Sequence, residues 1–472
     1  MKKIKFETSM IRPLLTLAIP IMLGNLFQAA YQLTDAFWVG RLGEKAVAAI
    51  AVSFPVIFFI TALGIGFAIA GATLTAQYFG AKKKDLINHS ATQTIFVVIV
   101  SALTLSILGY FLSDTILNWL RVNSSILDLA ARYLKISFLG MVFNFSFFMF
   151  QAIMRSIGKP KIPVYIIIFT VALNFFLDPL FMFGQGPVPA LGVAGAALAT
   201  VTTQAIAASI GLFILFSGKF GIKIDIKNFK PDFKFIKKIM RLGIPASLEQ
   251  SARSLSLAVM TTLTASFGTL AVAAYGISSN ILQLSLMASF GLAGANAVLV
   301  GQKLGAGYKK DAFKAAATSL RLIFIFLIFI GGIVFLLAPL LIKFFIPNDT
   351  AVIAEGANLL KFLAPTFSLI GLQVVVGSTL QAAGATKKAM ILTISSQWLL
   401  QIPLAFILSK FLGYGVTGIW LAFPLTNFIM ALIYLSVFHK RKWQNKKIIN
   451  TEEKIVNTVI KERNLEEIIR VE

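Results

Sequence analysis

Residues 43–85 read GEKAVAAIAVSFPVIFFITALGIGFAIAGATLTAQYFGAKKKD. From Ala46 to Phe79 no charged residue interrupts the run, and three lysines and an aspartate follow closely. A bilayer-spanning helix needs about 20 predominantly apolar residues, so this stretch is long enough to cross a membrane and ends in a positive loop. The same pattern returns 225 positions later: AVAA at 46–49 recurs at 271–274, each after a glycine (Gly43, Gly268). FGA at 79–81 recurs as LGA at 304–306, again followed by lysines and an aspartate, and LAIP at 17–20 recurs as LGIP at 242–245. Farther on, Gly158 before Lys159 pairs with Gly384 before Ala385, and LGVAGAALA at 191–199 resembles YGVTGIWLA at 414–422.

The whole chain has the same character. Of its 472 residues 57% are hydrophobic and only 13% charged, where a soluble domain carries roughly 25% charged residues. Apolar runs fall at 14–40, 46–79, 89–112, 128–156, 162–184, 191–217, 236–266, 271–302, 312–345, 352–383, 388–411 and 415–438. They lack the ten-residue alternation of an outer-membrane barrel, which leaves helices as the way to satisfy the backbone in lipid. The first run has no small-residue cleavage motif and continues into polar Gln28, Tyr31, Gln32, Thr34 and Asp35, so no cleavable signal is expected.

The net charge of +24 would suggest nucleic-acid binding in a soluble protein, but here lysine and arginine gather in alternate loops. They crowd the N-terminus (Lys2, Lys3, Lys5, Arg12), the loops at Lys82–Lys84 and Arg155–Lys161, the segment Lys219–Arg241, the loop at Lys303–Lys314 and the tail from Lys440. Positive charge marks the cytoplasmic side. The expected protein is therefore a multi-pass protein of the cytoplasmic (inner) membrane with both termini cytoplasmic. Its partner is the lipid bilayer and no nucleic acid; a monomer is expected.

A repeat offset covering six spans is even, so both halves share one orientation and are related by an axis along the membrane normal. The expected fold is all-α integral membrane, with twelve transmembrane helices in two six-helix bundles related by pseudo-two-fold symmetry. The divisions are an N-terminal bundle at 1–217, a cytoplasmic linker at 218–240, a C-terminal bundle at 241–440 and a cytoplasmic tail at 441–472. The tail shows only a weak helical apolar pattern at Ile455, Val459 and Ile468 and reads as peripheral.

Ionisable groups inside lipid cost about 2.5–3.5 kcal/mol each on insertion scales, so acids within the spans are candidates for function. They are Asp35 in span one, Asp178 in span five and Glu249 in span seven. The repeat sets two of them apart, since the equivalent of Asp35 is Met260 and that of Asp178 falls near Leu404. A purely structural acid would more naturally occur in both halves; the plainer alternative for each is an interfacial or salt-bridged acid. Asn174 stands one turn before Asp178, and Pro179 frees a backbone carbonyl, giving an oxygen-only cluster suited to a proton or a hard cation such as Na+. Asp35 lies fifteen residues beyond Pro20, a candidate hinge. Glu249 has Arg253 at i+4, which reads equally as a structural ion pair or as a substrate-binding or coupling residue. Gln28, Tyr31, Asn144, Gln151, Thr203, Glu249 and Asn280 are candidates to line a polar cavity; Gln204, Gln283, Gln373 and Gln381 are further polar residues in apolar runs. Cys is absent, the two histidines sit in charged surroundings, and no Walker loop or Ser/His/Asp set is present. Neither an enzyme nor a bound cofactor is expected.

Taken together, LAIP at 17–20, TDAFWVGRLG at 34–43, AQYFGAKKKD at 76–85, LNFFLDPLF at 173–181 and GVAGAALAT at 192–200 resemble the multidrug and toxic compound extrusion (MATE) family, in its DinF-type branch. The resemblance covers residues 10 to about 440 and implies secondary antiport: export of amphipathic or cationic small molecules in exchange for H+ or Na+. It also implies that Asp35 is the first-helix coupling acid, that Asn174 and Asp178 are the fifth-helix pair and that Thr200 is a sixth-helix cation ligand. Span ten lacks the acid of the NorM-type branch, with Gln373 and Gln381 as its main polar groups. The alternative within the wider superfamily is a flippase for lipid-linked precursors, which calls for a more cationic cavity than one embedded Arg253 offers. A channel or polytopic enzyme is the remaining class, and two acids present in only one half fit coupling better than a selectivity ring.

Overall fold

The structure, a computed structural model, describes residues 8–184, 186–224 and 230–446. Lys2, Lys3 and Lys5 and the tail pattern at Ile455, Val459 and Ile468 lie outside the described residues. Among the described residues the apolar runs become twelve helices: α1 (Thr8–Gly40), α2 (Glu44–Gly80), α3 (Lys84–Trp119), α4 (Ser124–Ser156), α5 (Lys161–Phe183), α6 (Val193–Ser217), α7 (Phe233–Ala265), α8 (Thr269–Gly305), α9 (Lys309–Phe345), α10 (Thr350–Ala382), α11 (Thr386–Phe411) and α12 (Gly415–His439). All but α7 are long and apolar enough to cross a membrane. The exception carries Lys234, Lys237, Lys238 and Arg241 in its first turns and buries Ser247, Glu249, Ser251 and Ser256, which it can do because protein rather than lipid covers that face.

Most helices start before their apolar runs, as at Thr8, Lys84 and Lys309, since hydrogen-bonded turns propagate easily once nucleated, and some of these starts are capped by a side chain. Asn123 accepts the Ser125 N–H at 2.9 Å before α4, and Asp349 accepts the Val352 N–H at 3.0 Å before α10, the same device in both halves. The last part of the 218–240 segment is already helical: Asp232 accepts the Phe235 N–H at 3.0 Å and α7 starts at Phe233. Of the described residues before α7, Ile222 and Ile224 are buried in the core of the N-terminal half, and Gln93 donates to the Lys230 carbonyl at 2.8 Å. The first tail residues are likewise packed rather than peripheral. Trp443 is buried and donates to the Phe438 carbonyl at 3.2 Å, while Lys446 donates to the Gly384 carbonyl. Burial, then the nearby charges of Arg241 and Lys388, push the Lys446 ammonium below the usual lysine range.

The hydrophobic cores do not follow the sequence halves. Leu14, Leu17, Ala18 and Ile21 of α1 join the core formed by α8 to α12, whereas Phe235, Ile239 and Leu242 of α7 join the core of α2 to α6. Each lobe thus receives the first half of the other lobe's first helix. Close packing at the crossing depends on glycine. A side chain on Gly66 (α2) would strike the Ser247 backbone nitrogen (α7), and one on Gly291 (α8) would strike Met22 (α1). Both members of each pair are separated by 225 residues from their counterparts, so the crossing obeys the pseudo-two-fold axis.

Glycine at the crossing is therefore expected to be irreplaceable, unlike glycine facing lipid. Gly66→Ala should destabilise the protein by about 1–3 kcal/mol through overpacking. Gly332→Ala, in α9 with nothing near the added carbon, should be neutral or stabilise by up to about 1 kcal/mol. Thermal unfolding of the two variants in one detergent compares them directly.

Candidate functional site

Three helices of the N-terminal lobe bring the predicted residues together. α1 places Tyr31 and Asp35 one turn apart, α5 does the same for Asn174 and Asp178, and α6 contributes Thr200 and Thr203. Glycine sets the α5–α6 approach, since a side chain on Gly195 would strike the Phe181 carbonyl. Asn174 Nδ2 donates to Asp178 Oδ1 at 3.1 Å, the i to i+4 contact expected from the sequence. The Thr200 hydroxyl donates to Asp35 Oδ2 at 3.3 Å. The Asp35 and Asp178 carboxyls are neighbours, with Asn174 beside both. Asn174 and Asp178 are fully buried.

Three oxygens at this point, Asp35 Oδ1, Asn174 Oδ1 and Asp178 Oδ2, are buried with no hydrogen-bond partner. A buried polar atom left unsatisfied costs about 1–3 kcal/mol, more when charged, and two adjacent carboxylates repel each other. A shared proton or a small hard cation relieves both costs, and an all-oxygen donor set suits either. The residues therefore fit Na+ as well as H+.

Toward the far end of α1 the site is covered by aromatic rings that the sequence reading missed. Trp38 packs against Phe175 and Phe183 at centroid distances of 5.6 and 6.2 Å, and Arg41 lies 4.8 Å over its ring. Tyr133 of α4 packs with Trp38 against the small core of Val39, Ala46 and Met182. The stretch FWVGR at 37–41 carries the aromatic–cation signal in sequence, but nothing there fixes the partners on α5.

On the other side Tyr31 borders a narrow cleft, about 30 Å³ in this state, lined by Gln28, Asn144, Phe147, Phe148, Gln151, Thr170, Thr203 and Gln204. Tyr31 shares a hydrogen bond with the Thr203 hydroxyl and donates to the Thr200 carbonyl at 3.4 Å, so one side chain belongs to both the carboxyl cluster and the cleft. Asn144 Oδ1 and Gln151 Nε2 are buried without partners, an acceptor and a donor at the cleft wall. Arg155, a loop cation by sequence, lies in the last turn of α4 and donates to Gln151 Oε1 at 2.6 Å.

Glu249 and Asn280 are not part of this cleft. Asn280 is exposed on α8. Glu249 is buried in the C-terminal lobe, accepting from Arg253 at 3.1 Å, Thr393 at 3.2 Å and Gln381 at 3.0 Å. Both of its oxygens are occupied, the arrangement of an internal ion pair. Met260, the repeat equivalent of Asp35, is packed in that lobe's core.

Pro20 is buried in the first half of α1, and the helix continues through it. Its ring leaves the Thr16 carbonyl without the usual helical donor.

Residues 20–180 and 245–407 match the MatE family model. The probable multidrug resistance protein YpnP of Bacillus subtilis is 29% identical over 416 residues, 88% of this chain and 92% of that protein. The multidrug export protein MepA of Staphylococcus haemolyticus is 27% identical over 439 residues, 92% of this chain and 94% of that protein. Solved structures described as MATE in the bent and in the straight conformation share the fold, each with a TM-score of 0.85 at 23% identity. They cover 91% and 92% of this chain and 95% and 97% of their own. One matched region lies in each half of the repeat, and the chain belongs to the MatE family.

Proposed function

We propose that this protein is a secondary antiporter that exports amphipathic or cationic small molecules in exchange for H+ or Na+, as a monomer in the inner membrane with both termini cytoplasmic. The observation that carries the reading is the contact of Asp35 with Asp178 amid three unsatisfied oxygens, joined through Tyr31 to a polar and aromatic cleft. The names of YpnP and MepA agree with multidrug export. The lysine-rich helix ends support the orientation, and the lack of counterparts of Asp35 and Asp178 in the C-terminal half supports the DinF-type branch.

The proposed cycle uses α1 as the moving part. With the carboxyls charged, Asp35 needs water or a cationic substrate near it. Binding of H+ or Na+ removes that need, and the proline-weakened segment at Pro20 lets the helix change course and close the cleft. Ion and substrate then favour opposite states, and reciprocity requires each to weaken the other's binding. Arg155 beside Gln151 gives the lipid-linked-precursor flippase reading its one specific support, because a guanidinium at the cleft suits an anionic headgroup. Uptake of ethidium into proteoliposomes with and without an imposed ion gradient separates the two: gradient-dependent ethidium movement establishes the antiporter, and its absence rejects it.

Asp35→Asn keeps the shape and removes the charge, so gradient-driven ethidium transport should fall to the protein-free rate at unchanged expression and melting temperature. Normal transport by this variant rejects the coupling role. Carbodiimide labelling of Asp178 should decrease with added Na+ or change with pH; labelling indifferent to both would exclude a shared ion site. Pro20→Ala restores a helical donor and should reduce turnover more than substrate binding. Spin-label distances between α1 and α7 across pH and Na+ provide the structural check.

A further inference from the structure

At the lysine-rich end the two lobes are joined by a symmetric pair of contacts. Gln77 near the end of α2 donates its amide to the Ala382 carbonyl at the end of α10, at 2.7 Å. Gln302 near the end of α8 donates to the Ser156 carbonyl at the end of α4, at 2.8 Å. Gln77 and Gln302 are 225 residues apart, and Ser156 and Ala382 are 226 apart, so each bond is the image of the other. Glycines bring the backbones together: a side chain on Gly80 would strike the Gln302 carbonyl, and one on Gly305 would strike that of Gln77. On the axis itself, Ala76 meets its own repeat equivalent, with its Cβ 3.0 Å from where one on Gly301 would stand. The sequence carries the device twice as Gln-x-x-Gly.

The accepting carbonyls explain why these bonds can be broken. The last carbonyls of a helix have no partner within it, so each lobe leaves a helix-end oxygen open and the other lobe supplies the amide. Beside Gln302 lies an open cavity of about 590 Å³ lined by Arg12, Thr16, Leu17, Phe79 and Gly158, so water can replace the lost donor once the lobes part. A contact that water can take over separates at small net cost.

We propose that Gln77 and Gln302 are the paired gate residues of the lysine-rich face, which hold the lobes together in this state and release during each transport cycle to open the cavity toward that face. The inference rests on the antiport reading for its role in transport, but the gate itself is measurable without substrate.

The chain contains no cysteine, so labels can be introduced into the full-length protein without removing any. Spin labels at Lys84→Cys and Lys310→Cys, in lipid nanodiscs, report the separation of the lysine-rich ends. Combining Gln77→Ala with Gln302→Ala should raise the population at longer distance about tenfold relative to the closed one. An unchanged distance distribution overturns the gate. In a second experiment, a short reducible bifunctional thiol reagent joining Lys84→Cys to Lys310→Cys should reduce ethidium transport to the protein-free rate, with recovery on reduction. Full transport by the bridged protein also overturns the proposal. If the unmodified protein moves no ethidium under any gradient, the antiport reading fails by itself, and the distance comparison still decides the gate.

Discussion

Everything in this molecule depends on the crossing of α1 and α2 with α7 and α8 at their lysine-rich halves. Lipid tails are as apolar as leucine, so helices gain little by hiding from them and associate through close packing and interhelical hydrogen bonds. Glycine at 66, 80, 291 and 305 permits backbone contact between lobes, and Ser247 adds a bond to the Leu63 carbonyl at 2.6 Å. Because the crossing exchanges half-helices, the beginning of α1 is packed in the C-terminal core while its far end carries Asp35 into the N-terminal lobe. A change at Asp35 therefore acts on a helix whose other end is fixed in the opposite lobe.

The two lobes share a framework but differ in how their buried acids are satisfied. In the C-terminal lobe Glu249 has an internal guanidinium, a hydroxyl and an amide around it, and every oxygen has a partner. In the N-terminal lobe no basic side chain reaches the Asp35–Asp178 pair among the described residues, and three oxygens remain open. A closed ion pair has nothing to exchange, whereas an open carboxyl pair calls for a mobile positive charge. Symmetry thus supplies the scaffold and the gate, and its local breakdown supplies the candidate ion site. The α5 equivalent in the second half differs in backbone as well, since α11 loosens into π-helical turns at Ser395–Gln401 and Ile407–Phe411.

By itself the sequence determined the all-helical class, the spans and the repeat, because a hydrocarbon solvent allows few solutions and hydropathy reports them directly. It also isolated Asp35, Asn174 and Asp178, since a charge in lipid is costly enough to stand out and a one-turn spacing fixes which side chains share a face, whereas Thr200 was pointed out only by the family resemblance. Tertiary structure alone decided what those residues meet. Only the folded chain turns Asp35 toward Asp178, 143 positions farther along the sequence, places Arg155 at Gln151 instead of in a loop, and removes Glu249 from the cleft into an ion pair. It also reveals that each lobe's core includes part of the other lobe's first helix and that Gln77 and Gln302 bond across the axis. The physical reason is one of range: burial and helical periodicity act over a few residues and are written locally, whereas partner choice depends on how rigid helices pack, and hydropathy carries no record of that.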